Sequence, residues 1–277
     1  MVSWDPSVYA RFASERSRPF ADLLARVGAG APRRVVDLGC GPGDLTASLA
    51  RRWPAAEVLG VDSSPEMLSR AQDQVGRADV AGRLRFELGD VADWQPEHPV
   101  DVLVTNATLQ WVPGHLQLLR QWVSGLAPGG WLALQVPGNF DSPSHTLMRE
   151  VAAQPQFAAH VEGALRHGEA VGQPTTYAAL LADAGCAVDA WETTYVHVLD
   201  PAGEFGDDAV LAWVSGTGLR PVMDALQEQP ELRQAFLDEY AGRLRAAYPR
   251  RPWGTALPFR RVFCVARRAE PPTGGAA

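Results

Sequence analysis

The segment Val36-Asp37-Leu38-Gly39-Cys40-Gly41-Pro42-Gly43 constrains the chain more than any other. A short apolar strand from Arg34 ends in an acid, passes through glycines at alternating positions, and runs into a helical stretch carrying Leu45 and Leu49. Glycine at a strand-to-helix turn lets a ligand come close to the backbone, because a side chain there would block the approach. A pyrophosphate site wants the spacing G-x-G-x-x-G, with the anion on the helix N-terminus. Here the third glycine follows the second after one residue, and Asp37 places a negative charge at the approach. That arrangement repels a pyrophosphate and suits a ligand carrying an amino group.

Strands and helices alternate beyond this turn. Strands are expected at Glu57 to Val61, Leu84 to Leu88, Val100 to Thr105 and Trp131 to Val136. Helices are expected from Pro65, from His115 to Gly125 and from Thr175 to Ala184. Such alternation predicts an α/β fold with a mostly parallel sheet and right-handed crossovers. The last third differs. Ala190 to Leu199 reads as a long strand, Asp208 to Tyr248 mostly as helix, and Phe259 to Ala266 as a closing strand. A helical insertion thus separates two late strands, and an irregular insertion is expected between Pro137 and about Gln173. Ahead of the glycine turn, Asp5-Pro6 caps a helix carrying Val8, Tyr9 and Phe12, and a second short helix carries Phe20, Leu23, Leu24 and Val27 before stopping at Gly28. The Pro/Gly/Ala tail from Glu270 lacks the apolar content for a core and is expected to be disordered. The expected organisation is a single domain over 1–269, with a helical lid (1–30), a ligand-binding core (31–136), cap insertions (137–173 and 200–255), a closing strand (256–268) and a tail (270–277).

All 25 basic side chains are arginine, and there is no lysine. Schiff-base, pyridoxal-phosphate, phosphate-loop and kinase-type lysine chemistries are therefore excluded. Any anion held by a permanent side-chain cation is held by a guanidinium fork, which suits carboxylates and phosphates. With a net charge of −7 and arginines dispersed along the chain, no basic stripe exists for nucleic acid or an anionic membrane. Cys40, Cys186 and Cys264 are far apart, without metal or disulfide spacing, which points to a reduced, cytoplasmic setting and no metal. No signal peptide or membrane-length apolar run is apparent.

Two further strand tips carry acids. Gly60-Val61-Asp62-Ser63 places a carboxylate where it can accept from a ribose diol, and Leu88-Gly89-Asp90-Val91 places another where an adenine amino group would lie. With these three acids around one glycine turn, the chain resembles the class I S-adenosylmethionine-dependent methyltransferases, a Rossmann-like family, over most of its length. The resemblance implies a seven-stranded sheet with an antiparallel last strand. It also implies an S-adenosylmethionine site at Asp37, Gly39, Gly41, Gly43, Asp62, Ser63, Asp90, Val91 and Asn106, to which Tyr9 and Arg18 add contacts from the N-terminal helices. Tyr9 reads equally well as a core partner of Phe12.

A narrower resemblance, to the trans-aconitate 2-methyltransferase family, rests on several segments. They are Trp4 to Tyr9, Glu15 to Pro19, Asn106-Ala107-Thr108-Leu109-Gln110-Trp111, Leu126 to Gly130, Gln135 to Pro137, Leu147 to Glu150, Gly216-Thr217-Gly218-Leu219-Arg220-Pro221 and Arg261-Val262-Phe263. It implies a small polycarboxylate substrate, with Arg220, Thr217, Arg149 and Arg261 among its contacts and Trp4, Trp111 and Trp213 as apolar walls. Such a substrate is already ionised near neutral pH, so no general base is nominated. His115 and His197 read as capping or packing residues, and Cys40 as a small filler. Trp191, Thr193, Tyr195 and His197 alternate along one strand face. Other substrates with the same chemistry are another small acid or a malonyl group on an acyl carrier protein. A regulator that binds the cofactor without turnover is the alternative from a different class, and nucleic-acid methylation is disfavoured by charge. Oligomeric state is not legible.

Overall fold

A computed structural model describes residues 13–161, 163–165 and 170–270. The expected helix at Asp5 to Phe12, with Trp4 and Tyr9, and the tail at 271–277 lie outside the described residues. The strands are β1 (Arg34–Leu38), β2 (Glu57–Asp62), β3 (Leu84–Leu88), β4 (Val100–Asn106), β5 (Leu126–Pro137), β6 (Cys186–Leu199) and β7 (Thr255–Arg268). The helices are α1 (Ala13–Ala25), α2 (Asp44–Arg52), α3 (Pro65–Val75), α4 (His115–Gly125), α5 (Pro143–Ala152), α6 (Pro155–Val161), α7 (Pro174–Asp183), α8 (Ala209–Ser215), α9 (Arg220–Ala225) and α10 (Pro230–Ala247). The chain divides into two compact units. Among the described residues, a sheet unit comprises 13–136, 171–192 and 262–270, and a helical unit comprises 137–161, 163–165, 170 and 193–261.

The seven strands form a mostly parallel, mixed sheet, as the alternation and the resemblance predict, and their order is β3-β2-β1-β4-β5-β7-β6. Central strands of a parallel sheet are covered on both faces, so they read as continuous apolar runs. Val35, Val36 and Leu38 of β1 and Val102, Leu103 and Val104 of β4 are all buried. Leu38 lies opposite Val61 on one side and Thr105 on the other, and Asp62 lies opposite Leu88. The C-terminal ends of β1 to β4 therefore share one edge of the sheet. Strand order reverses between β1 and β4, and the crevice at such a switch point is where open α/β sheets bind ligands. Ser64 starts α3 by accepting from Met67 N at 3.2 Å, with Pro65 at the first helical position, where its missing N–H is harmless.

Several boundaries differ from expectation. β5 begins at Leu126 rather than Trp131, because Pro128-Gly129-Gly130 forms an irregularity inside the strand and not a turn before it. A Cβ on Gly130 would lie 2.8 Å from Ala127 O and 2.9 Å from Val100 O, so only glycine lets the backbones pass. β6 and β7 extend beyond the expected Ala190 to Leu199 and Phe259 to Ala266. The insertion from 137 to 173 is not irregular: it carries α5 and α6, and Pro143 and Pro155 are each the first residue of a helix, where a missing N–H is harmless. Asp208 to Tyr248 resolves into three helices, with Gly216 ending the first.

Candidate active site

The glycine turn holds Gly39, Gly41 and Gly43 at φ of 77°, 56° and 81°. Gly39 N and Cys40 N both donate to Val61 O, at 2.8 and 3.1 Å, which ties the turn to β2. Two glycines do different jobs. A Cβ on Gly39 would lie 2.1 Å from Thr108 Oγ1, so the protein itself fills that space. A Cβ on Gly41 would meet nothing within 4 Å, and the cradle there is open.

Asp62, at the tip of β2, accepts from Gly41 N at 2.8 Å through Oδ2 and from Ser64 N at 2.9 Å through Oδ1. A carboxylate has about four acceptor positions, so each oxygen keeps one for a ligand hydroxyl. Ser63 beside it is exposed. Asp90 follows β3, exposed, with Oδ1 accepting from Ala92 N at 2.8 Å, and Val91 is buried. Leu88, on the same tip, is 64% exposed and offers an apolar surface to a flat ring. Asp37 is only 3% exposed. Burial pushes its carboxyl up to about 7, against the opposing effect of Thr46 Oγ1, which donates to it at 2.7 Å. Cys40 is buried within the turn, and burial, with Asp37 and Asp62 nearby, raises its thiol far above the range of a nucleophile.

The fourth tip is Asn106, whose Oδ1 is buried without a hydrogen-bond partner among the described residues. Ala107 follows at φ 55°, and a 3-10 turn, Leu109–Trp111, places Trp111 half-buried. Asp37, the glycines, Asp62, Asp90, Val91 and Asn106 are therefore brought to one sheet edge. Arg18 is exposed on α1. His115 is a packing residue: Nδ1 lies 3.3 Å from Val112 O and Nε2 lies 2.9 Å from the Tyr177 hydroxyl.

The helical unit holds the remaining candidates. Trp213 of α8 stacks on His197 of β6, with ring centroids 4.9 Å apart, and meets Phe259 edge-on at 5.8 Å. Arg261 is 5% exposed, its guanidinium 4.4 Å above the Phe259 ring. Arg149 donates to Phe140 O at 2.9 Å, and Phe140 packs edge-on against His145 at 5.3 Å. His145 and Arg149 are one turn apart on α5. A Cβ on Gly218 would lie 3.2 Å from His145 Nε2, so the imidazole lies over the loop that leads into Arg220, the first residue of α9. Arg220 Nε is buried and has no acceptor among the described residues. Thr217 Oγ1 donates to Val214 O at 3.5 Å.

His145, Thr46, Thr108 and Gln110 escape the sequence reading. Thr108 and Gln110 sit inside a matched segment, but nothing in composition or periodicity marks the contacts they make. Among the described residues no three His, Cys, Asp or Glu side chains are grouped to hold a metal ion.

Residues 35–130 match the family model described as a methyltransferase domain. The chain is 56% identical over 270 residues to a trans-aconitate 2-methyltransferase of Streptomyces coelicolor, covering 97% of this chain and 88% of the relative. It is 53% identical over 266 residues to an enzyme of the same name from Rhodococcus jostii, covering 95% and 99%. Among solved structures, the YcgJ protein from Bacillus subtilis matches with a TM-score of 0.58 at 13% identity, covering 92% of this chain and all of that one, a likeness of fold alone.

Proposed function

Because the chain belongs to the trans-aconitate 2-methyltransferase family of S-adenosylmethionine-dependent methyltransferases, we propose that it forms the monomethyl ester of trans-aconitate, with the residue roles below. The cofactor, when bound, supplies a sulfonium methyl group for in-line displacement. The open cradle at Gly41 and the spare lone pairs of Asp62 fit an amino-acid-bearing nucleoside. In this reading Gly39, Gly41 and Gly43 expose backbone to the methionine end and Asp37 balances its ammonium. Asp62 and Ser63 hold the ribose, and Asp90 and Val91 the adenine. Asn106 and Arg18 complete the contacts.

The substrate's carboxylates are ionised at neutral pH, so the protein need not remove a proton. Its contribution is position, which can supply effective molarities of about 10⁵ to 10⁸ M. Opposite charges disappear as the methyl group moves. A strong ion pair to the reacting carboxylate would therefore stabilise the ground state more than the transition state. Arg220, Arg149, Arg261 and Thr217 accordingly hold the carboxylates that do not react, while Trp111 and Trp213 keep water away from the one that does. Arg220 carries this reading, because a buried guanidinium N–H without an acceptor among the described residues is poised for an anionic ligand. No helix of the described residues is long and apolar enough to cross a membrane, and all three cysteines are free, both of which suit a cytoplasmic enzyme of small acids.

The test is methyl transfer from labelled S-adenosylmethionine to trans-aconitate, cis-aconitate, isopropylmalate, a malonyl carrier and RNA. Transfer is expected to be fastest to trans-aconitate, and transfer to none of the acids overturns the reading. Arg220→Lys should raise KM for trans-aconitate by about tenfold or more, since an ammonium cannot reproduce the bidentate fork, and change KM for the cofactor by less than about threefold. Equal effects on both would remove Arg220 from the substrate site.

A further inference from the structure

Ala107 is one of two non-glycine residues with positive φ among the described residues, and it directly follows the tip of β4. A left-handed alanine is unfavourable by roughly 1 kcal/mol or more and persists only where its surroundings over-determine it. Both of its backbone polar groups are engaged. Ala107 N donates to Gln135 O at 2.9 Å, and Ala107 O accepts from Gln110 Nε2 at 2.6 Å. The second is the side-chain contact. It fixes the Gln110 amide with its nitrogen towards Ala107, which leaves Oε1 buried without a partner among the described residues. Gln110 is 8% exposed, and Oε1 itself is fully buried. Next to it, Asn106 Oδ1 is orphaned in the same way. A strained residue and two unsatisfied acceptors are all unfavourable to stability, and all three lie within five residues at the strand tip beside the glycine turn.

The turn is coupled to that glycine loop through Thr108, whose side chain occupies the space a Cβ on Gly39 would need. Its Oγ1 lies 3.4 Å from Gly39 O and 3.3 Å from Asn106 O. Relaxation of Ala107 to an ordinary φ would swing the peptide that joins it to Thr108 and lift that side chain off Gly39. We propose that Gln110 is a positioning residue: by donating to Ala107 O it locks the left-handed turn, and so holds Asn106 and Thr108 against the glycine loop in the arrangement that methyl transfer uses. The catalytic half of this inference rests on the methyltransferase reading above, and the conformational half does not.

Three variants test it: Gln110→Leu, Gln110→Leu with Ala107→Gly, and Ala107→Val. Amide hydrogen exchange of the 105–112 segment in ligand-free protein is the first readout. Gln110→Leu should exchange there faster by about tenfold or more, and glycine at 107, which accepts positive φ without strain, should restore protection. The second readout is kcat, expected to fall by about tenfold or more in Gln110→Leu and to recover in the double variant, with affinity for S-adenosylhomocysteine by calorimetry weakening and recovering in parallel, because Asn106 and the glycine loop are both displaced. Ala107→Val keeps Gln110 but cannot adopt the turn, so it should reproduce both losses, and if Gln110→Leu does not fold, Gln110→Met, which keeps the length of the side chain and removes the donor, takes its place. Unchanged exchange in Gln110→Leu, or a lost kcat that glycine at 107 does not restore, overturns the proposal. Wild-type protein that transfers no methyl group would overturn the functional reading instead, and exchange would still decide the clamp.

Discussion

Gly39 and Gly41 are two residues apart and share a backbone conformation, yet they serve different partners. At Gly39 the space beside Cα is filled by Thr108, and at Gly41 it is open. Gly39→Ala should therefore damage the fold, because the clash is with a side chain packed on the turn itself. Gly41→Ala should be destabilised only by the left-handed penalty, about 1 kcal/mol by denaturant melt, while its affinity for S-adenosylhomocysteine falls by about tenfold or more because the methyl group enters the cradle. If both variants lose stability equally and Gly41→Ala still binds, the cradle is not where the cofactor lies. The need for glycine is legible in the spacing. The filling of one site by Thr108, 69 positions away, is not.

At the scale of elements, α4 and α7 are joined through a buried pair. The Tyr177 hydroxyl accepts from Gly172 N at 3.0 Å and meets His115 Nε2 at 2.9 Å, while His115 Nδ1 faces Val112 O. All of these are satisfied by neutral imidazole with its proton on Nδ1, the tautomer assigned by the network. Burial lowers the His115 pKa from its ordinary value, as that state requires. Tyr177→Phe leaves Gly172 N–H and His115 Nε2 without a partner, and should lower unfolding free energy by about 1–3 kcal/mol in a urea titration. A change below about 0.5 kcal/mol would mean that the pair does not hold the two helices together. Helices α4 and α7 are each foreshadowed by apolar periodicity and starting signals, whereas the pairing of residues 62 apart is not. The same limit explains β5. Pro-Gly-Gly has the local chemistry of a turn, and only the neighbouring β4 makes it a strand irregularity.

For the whole molecule, burying Asp37 in a protein of net charge −7 has a pH signature. Its carboxyl titrates near 3.8 when exposed and about 7 in the fold, so the native state binds the extra proton between those values. The folded state therefore loses stability from this group as pH rises from about 4 to 7, reaching roughly 4 kcal/mol and levelling above. Asp37→Asn keeps an acceptor for Thr46 and removes the charge. Its melting temperature should match wild type near pH 4 and exceed it increasingly up to pH 7, and a constant difference would show that Asp37 is ionised throughout. By itself the sequence determined the alternating parallel sheet, the glycine turn, the strand-tip acids and the restriction to arginine as permanent cation, because each depends on residues adjacent in the chain or on composition. Tertiary structure alone decided that Arg220 Nε is buried without an acceptor among the described residues, that Asp37 is buried and shifted, and that Gln110 holds a strained alanine. Those depend on burial and on contacts between distant segments, which no local pattern encodes.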